Sequence, residues 1–157
     1  MRHVESDPNP AERVGVLYLC VANSARSQMA EGFARAMAPA GVSVFSAGSA
    51  PMGVNPLAVQ VMQEIGVDIS GHRSKGLTDI PAGKVGTVVS LCAEEECPLL
   101  PGEVRRVHWP LPDPAAATGG REEMLRTFRD VRDQVRFKLE AFFGKPYQPV
   151  ERGRETI

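Results

Sequence analysis

Short apolar segments alternate with amphipathic helical patterns along most of the chain. Val14–Leu19 is a continuous apolar run, which is typical of a strand covered on both faces. Weaker runs of the same kind follow at Val42–Phe45, Val85–Leu91 and Val104–Trp109. The pattern therefore predicts four short strands.

Three segments between and after these runs have helical periodicity. Ser27–Ala38 is rich in alanine, and Pro56–Ile65 follows Asn55, a good N-cap residue with proline at the first helical position. Arg121–Phe143 has apolar residues at three- and four-residue steps, and Gly144 is placed to end it. We predict three helices, the last packed along one face.

Strands that alternate with helices favour a parallel sheet with right-handed crossovers. We predict a three-layer α/β/α domain with a four-stranded parallel sheet, in which ligands bind at the carboxyl ends of the strands. Cys20 directly follows the first predicted strand, Ser46–Gly48 the second and Cys92 the third, and Asp113 comes shortly after the fourth. These polar and nucleophilic residues are expected to meet at one edge.

Length and composition indicate one ordinary globular domain. The chain has 157 residues and a formal net charge of -1, which argues against binding to nucleic acid or a membrane surface. No apolar stretch approaches the roughly 18 residues that span a bilayer. We expect a flexible arm at residues 1–12, the domain at 13–144, and a loose tail at 145–157. A monomer in the cytoplasm is expected, with no secretory signal.

One loop carries the residues typical of oxyanion chemistry. It consists of Cys20, Val21, Ala22, Asn23, Ser24, Ala25, Arg26 and Ser27. Free N–H groups at the start of the following helix form an oxyanion site, and the Arg26 guanidinium can hold two anionic oxygens. In the positive electrostatic field of the helix N-terminus and Arg26, Cys20 is expected to ionise readily and act as a nucleophile.

Neighbouring polar residues support this interpretation. Ser27 or Ser24 can donate a hydrogen bond to the thiolate, and Asn23 tolerates the left-handed backbone conformation that the loop needs. The alternative is that Cys20 is a small buried apolar residue and Arg26 a surface charge. The order of strand, loop and helix favours the nucleophile.

The sequence resembles the low-molecular-weight tyrosine phosphatase superfamily and, within it, the thioredoxin-coupled arsenate reductases. The matching segments are LCVANSARSQMAEGFAR, VFSAGSAPMGVNPLAV, IGVDISGHRS, VVSLCAEEECPLLP and HWPLPDPA. The first segment is typical of the superfamily, and the later cysteine pair is typical of the reductases. The resemblance implies a low-molecular-weight phosphatase-like fold.

Asp113 precedes a proline, so it can simply start a turn. Beside Cys20 it can instead act as the general acid that protonates the leaving oxygen, which is the role the resemblance implies. In the phosphatase branch this aspartate is typically followed by paired tyrosines. Here alanines follow, at Ala115–Ala117, which weakens the interpretation as a tyrosine phosphatase.

Cys92 and Cys97 are separated by four residues. A zinc site that uses them with His72 or His108 is an alternative, but the motif is weak; hydrogen bonding in a turn or strand is the simpler role for either histidine. The resemblance implies a relay: Cys92 attacks Cys20, Cys97 attacks Cys92, and a thiol reductant such as thioredoxin reduces the final disulfide. The spacer is shorter than in well-known members.

Some members of the family hold potassium beside the catalytic loop, with residues that match Asn23, Glu31 and Ser46 together with an aspartate. Lys75 stands at the aspartate position, and its ammonium group can occupy the place of the ion. We expect no required metal and no bound cofactor, with electrons supplied by an external thiol donor.

Three functions remain open on the sequence. The first is reduction of arsenate, with phosphate as its analogue, by a relay of Cys20, Cys92 and Cys97 for arsenic detoxification. The second is phosphomonoester hydrolysis, because both anions are tetrahedral. The third is a non-catalytic anion or metal sensor with a thiol switch.

Overall fold

A computed structural model describes residues 14–93 and 99–149. The strands are β1 Gly15–Cys20, β2 Ser43–Gly48, β3 Val85–Cys92 and β4 Arg105–Leu111. The helices are α1 Arg26–Met37, α2 Pro56–Gln63 and α3 Arg121–Phe143, with 3₁₀ turns at Leu77–Asp79, Ala82–Lys84 and Pro114–Ala116. All seven predicted elements are present, with boundaries that differ by only a few residues.

The strands form one parallel sheet in the order β2-β1-β3-β4. In the central strand, Leu17 pairs with Phe45 of β2 on one side and with Val88 of β3 on the other. This confirms the predicted α/β fold with a four-stranded parallel sheet. Side chains of β1 are buried in the core clusters on both faces of the sheet, which explains why its sequence is apolar at nearly every position.

The two faces of the sheet are covered differently. Helices α1, α2 and α3 pack against one face, where Tyr18, Phe33 and Phe128 are fully buried. On the opposite face, Leu17 and Leu19 pack with Ile80, Val88 and Leu100, and the 3₁₀ turn Leu77–Asp79 lies against that cluster. Among the described residues, the second outer layer is therefore made of short turns and loops.

The strands are longer at their carboxyl ends than the sequence indicates. Cys20 and Cys92, expected just after their strands, are the last residues of β1 and β3, and Ser46 lies within β2 rather than after it. The pairing continues because Cys20 lies opposite Gly48 and Cys92 opposite Leu111. Asp113 does follow β4, so the four residues approach one edge of the sheet, as predicted.

The end of the described chain packs more closely than a loose tail would. Gly144 ends α3 with φ of 75°, as predicted. Tyr147 is buried, its ring packs edge-to-face against Phe33, and its hydroxyl donates to the Ile65 carbonyl. The predicted arm and residues 150–157 lie outside the described residues. In the described part of the chain, no helix is long and apolar enough to cross a bilayer.

Candidate active site

The loop between β1 and α1 places a cysteine and an arginine at the carboxyl edge of the sheet. Cys20 ends β1 and is almost fully buried, and Arg26, equally buried, is the first residue of α1. No side chain caps the first turn of this helix within the described residues. The helix N-terminus therefore faces the loop, as an oxyanion site requires.

Cys20 is a free thiol in contact with a hydroxyl group. Its Sγ lies 2.9 Å from the Oγ of Ser27, the second residue of α1. Of the two serines considered as donors, Ser27 is the one in contact, while Ser24 lines the pocket in front of the thiol. The sulfur thus has a hydrogen-bonding neighbour on the side away from the pocket.

Asn23 holds the loop from within. Its φ is 46°, which confirms the left-handed conformation expected from its residue type. Its amide nitrogen donates to Ser27 Oγ at 2.7 Å and to Ser46 Oγ at 2.9 Å. Its side-chain oxygen accepts from the backbone N–H of Lys75 and from the amide of Gln28. All four hydrogen bonds are buried or partly buried, so they fix the conformation of the loop.

Gly48, at the end of β2, lets the loop lie directly on the sheet. A Cβ at this position would collide with the carbonyl oxygen of Val21 and would lie 2.8 Å from the backbone nitrogen of Asn23. Both atoms belong to the oxyanion loop. The sequence analysis placed Gly48 in a segment expected at the site. Its close contact with the loop is visible only in the folded structure.

Arg26 and Asp113 face each other across the opening. Arg26 donates through Nη1 to the Leu111 carbonyl at 3.1 Å, and its Nη2 lies 3.9 Å from Asp113 Oδ2. The Asp113 side chain is 44% exposed, and its other oxygen accepts from the Ala115 N–H. Asp113 therefore both starts the turn predicted from its sequence and presents a carboxylate to the pocket.

The space between these groups is large enough for a small tetrahedral anion. A pocket of about 330 Å³ is lined by Cys20, Arg26 and Asp113. Met52, which is 77% exposed, lines its mouth. The sequence analysis missed Met52, because an isolated methionine in a loop carries no local signal of its position.

Cys92 is the last residue of β3, the strand next to the one that Cys20 ends. It is buried and disulfide-bonded, whereas Cys20 is free. The pairing of β3 with β4 is irregular between Ser90 and Cys92, where Cys92 lies opposite Leu111. Cys97 lies outside the described residues. The register of β1 and β3 places the two strand ends side by side.

The two histidines in the described part of the chain have hydrogen-bond partners away from the pocket. His72 Nδ1 lies 2.9 Å from Gln28 Oε1, and His108 Nδ1 lies 2.8 Å from Ser90 Oγ. Burial lowers the pKa of His72, although the nearby Glu31 charge opposes this effect. In the described ranges, no group of three histidine, cysteine, aspartate or glutamate side chains is arranged to hold a metal.

A buried glutamate lies behind the loop. Glu31 Oε1 accepts from Ser46 Oγ at 2.5 Å and lies 3.3 Å from Lys75 Nζ, and Oε2 accepts from Arg35. Burial raises the pKa of Glu31, but the Ser46 hydrogen bond and the positive charge of Lys75 outweigh it, so the pKa lies below its usual value. The implied potassium does not fit here, because an ammonium group already lies against the carboxylate.

The fold and the loop define the class of protein. The family model for low molecular weight phosphotyrosine protein phosphatases matches residues 15–154, and the chain belongs to this family. Its curated relatives include arsenate reductases from Bacillus subtilis, at 41% identity, and Halalkalibacterium halodurans, at 43%. Each match covers 129 residues, which is 81% of this chain and 93% of the relative.

Solved structures give the same result. A structure described as an arsenate reductase in the phosphate binding state has a TM-score of 0.71 at 34% identity, over 83% of this chain and 96% of that one. A thioredoxin-dependent arsenate reductase from Corynebacterium glutamicum has a TM-score of 0.58 at 29% identity, over 83% of this chain and 63% of that one.

Proposed function

We propose that this protein is an arsenate reductase that converts arsenate to arsenite and so serves arsenic detoxification. It belongs to a family that includes curated arsenate reductases of similar length. The pocket combines a free thiol, an arginine and a helix N-terminus, which suits a tetrahedral dianion. The proposed electron donor is an external thiol such as thioredoxin, with no prosthetic group.

The first step is formation of an arsenic–sulfur bond. Arsenate binds among the loop N–H groups and the Arg26 guanidinium, and the Cys20 thiolate attacks arsenic. One arsenic–oxygen bond breaks, and Asp113 supplies a proton so that the oxygen leaves as water. Arsenic is still pentavalent in this adduct.

The second step reduces arsenic. The Cys92 thiolate attacks Cys20 Sγ, a disulfide forms, and the arsenic–sulfur bond breaks with its electron pair remaining on arsenic. Arsenic becomes trivalent, and the two sulfurs are oxidised by two electrons in total. A disulfide requires the two sulfur atoms to lie about 2 Å apart, so the end of β3, where Cys92 pairs with Leu111, is proposed to move during this step.

The third step restores the nucleophile. Cys97 attacks Cys92, the disulfide moves to Cys92–Cys97, and Cys20 leaves as a thiolate. The external dithiol then reduces this disulfide in two ordinary exchange reactions. A disulfide-bonded Cys92 beside a free Cys20 is the arrangement expected at the end of this cycle.

One observation favours a reductase over a phosphatase. The free nucleophile Cys20 and the disulfide-bonded Cys92 end neighbouring strands of the same sheet. A phosphatase needs only the first of these cysteines, since water completes its cycle. The alanines at Ala115 and Ala116, beside the pocket, also leave no aromatic wall for a phosphotyrosine ring.

The test compares wild type with Cys92→Ser and Cys97→Ser. Each protein is assayed for arsenite production with a thioredoxin system, and for hydrolysis of an aryl phosphate. Both variants are expected to lose multiple-turnover arsenate reduction and to retain any aryl phosphatase activity. Equal aryl phosphate turnover by all three proteins without arsenate reduction would instead establish the phosphatase, and no turnover in either assay would favour the sensor.

A further inference from the structure

A continuous series of hydrogen bonds connects the buried glutamate with the nucleophile. Starting at the sulfur, the contacts are Cys20 Sγ to Ser27 Oγ, Ser27 Oγ to Asn23 Nδ2, Asn23 Nδ2 to Ser46 Oγ, and Ser46 Oγ to Glu31 Oε1. The distances are 2.9, 2.7, 2.9 and 2.5 Å. Glu31 itself does not line the pocket. Its influence on Cys20 would pass through these neutral groups.

The charge of Glu31 gives this series a direction. An ionised carboxylate can only accept, so the Ser46 hydroxyl donates to Glu31, and its oxygen accepts from Asn23. Asn23 cannot reverse its amide, because its oxygen already accepts from Lys75 N–H and Gln28. The second amide hydrogen of Asn23 therefore goes to Ser27 Oγ, which leaves the Ser27 hydroxyl hydrogen for the sulfur.

Lys75 supplies the positive charge that keeps the Glu31 carboxylate ionised. Its Nζ lies 3.3 Å from Glu31 Oε1 and also donates to the Arg73 carbonyl, and its side chain is only 15% exposed. The other groups that face Glu31 are the Arg35 guanidinium, at 2.7 Å, and the titratable imidazole of His72, at 3.9 Å. Arg35 is half exposed and holds the second oxygen, so Lys75 is the more buried cation on the oxygen that Ser46 contacts.

From this geometry we propose that Lys75 is a positioning residue for Cys20. Its ammonium group fixes the ionised Glu31, which orients the hydrogen bonds so that Ser27 donates to the Cys20 thiolate, and no monovalent metal ion is needed for this purpose. The proposal deepens the proposed function, because it concerns the same nucleophile. It depends on thiolate stabilisation at Cys20, which can be measured without arsenate.

The test measures alkylation of Cys20 by iodoacetamide at neutral pH, with the modified Cys20 peptide quantified by mass spectrometry. The proteins are kept in the form with Cys92 disulfide-bonded, in which Cys20 is a free thiol. Lys75→Met is expected to slow alkylation by about tenfold, because the buried ammonium group that holds Glu31 is lost. Lys75→Arg keeps the charge and should react close to the wild-type rate.

Lys145→Met is the matched control, because it removes one positive charge from an exposed site beyond the end of α3. Its alkylation rate should equal that of wild type. Wild type should also react equally fast in potassium and in choline buffers, a measurement that does not depend on how well any variant folds. A faster wild-type reaction in potassium would overturn the proposal, as would equal rates for Lys75→Met and wild type, or for Lys75→Arg and Lys75→Met.

The two proposals can fail separately. If wild type reduces no arsenate but Lys75→Met still slows alkylation, the proposed reaction is wrong and the positioning role stands. If arsenate is reduced and alkylation is insensitive to Lys75, the reaction stands and the positioning role is wrong.

Discussion

At the scale of single residues, the surroundings of Cys20 come from distant parts of the chain. Ser27 and Asn23 belong to its own loop, whereas Ser46 comes from β2 and Asp113 follows β4. Asp113 lines the pocket in front of the thiol, whereas Ser27, Asn23 and Ser46 form the hydrogen-bond series behind it. The chemical roles of these side chains can therefore be tested one at a time.

Ser27→Ala removes the hydroxyl that contacts the sulfur. A lost hydrogen bond to a charged group corresponds to roughly a tenfold decrease in the alkylation rate of Cys20 at neutral pH. The kcat/KM for arsenate should fall by a similar factor. Ser70→Ala, in an exposed turn, is the matched control and should alter neither quantity. Equal rates for Ser27→Ala and wild type would contradict a donor role for Ser27.

Asp113→Asn removes the proposed proton donor but keeps the size of the side chain. The kcat for an aryl phosphate or for formation of the arsenic adduct should fall by about 100-fold or more. Phosphate binding, measured by calorimetry, should be unchanged or tighter, because a negative charge facing Arg26 has been removed. Weaker phosphate binding with unchanged kcat would show that Asp113 holds the anion and does not transfer a proton.

At the scale of elements, the oxyanion loop depends on how closely β1, β2 and α1 approach one another. The Gly48 position at the end of β2 has no room for a side chain, and Gly32 of α1 lies against Ile69 in the same close manner. The loop is thus shaped by backbone packing as well as by its own hydrogen bonds. A side chain at either position would force neighbouring atoms to move.

Gly48→Ala should displace the loop, because its Cβ would meet the backbone of Val21 and Asn23, neither of which can move independently. We expect phosphate binding and arsenate turnover to fall by at least about tenfold, and the free energy of unfolding to fall by about 1 to 3 kcal/mol. Gly71→Ala is the control, since its Cβ would meet open space. Normal turnover by Gly48→Ala would show that the loop tolerates displacement.

At the scale of the whole molecule, stability should decrease as the pH falls below neutral. The pKa of His72 is lowered in the folded protein, chiefly by burial, so the unfolded chain binds a proton at a higher pH than the folded one. The contribution of the neutral His72 is present above about pH 6.5 and is lost as the pH falls below this value. The lowered pKa of Glu31 adds a second loss below about pH 5.

His72→Gln should reduce the dependence of stability on pH between 7.5 and 5.5, because glutamine does not titrate in this range. The measurement is urea unfolding at several pH values, followed by circular dichroism. His108→Gln is the matched control, because it also removes an imidazole but at an exposed position of β4. If the two variants have the same slope of unfolding free energy against pH, burial of His72 is not the cause of the decrease.

Much of this fold follows from local patterns. The order and type of the seven elements were predictable because apolar runs, N-cap residues such as Asn55 and the final Gly144 act through neighbouring residues. The packing of Tyr147 was not predictable, because it depends on a partner in α1. The sequence analysis ended the strands before the residues at which they end in the structure. Pairing with a neighbouring strand extends each strand past its apolar run.

The sequence by itself determined that a thiol and an arginine lie at the two ends of one short loop before a helix, because these groups are neighbours along the chain. It also determined that four strand ends meet, since parallel pairing brings them to one edge. Only the tertiary structure decided that Ser27 contacts the thiol and that Lys75 reaches Glu31. These contacts join separate elements, and strand register and helix packing set them through distances that no local pattern contains.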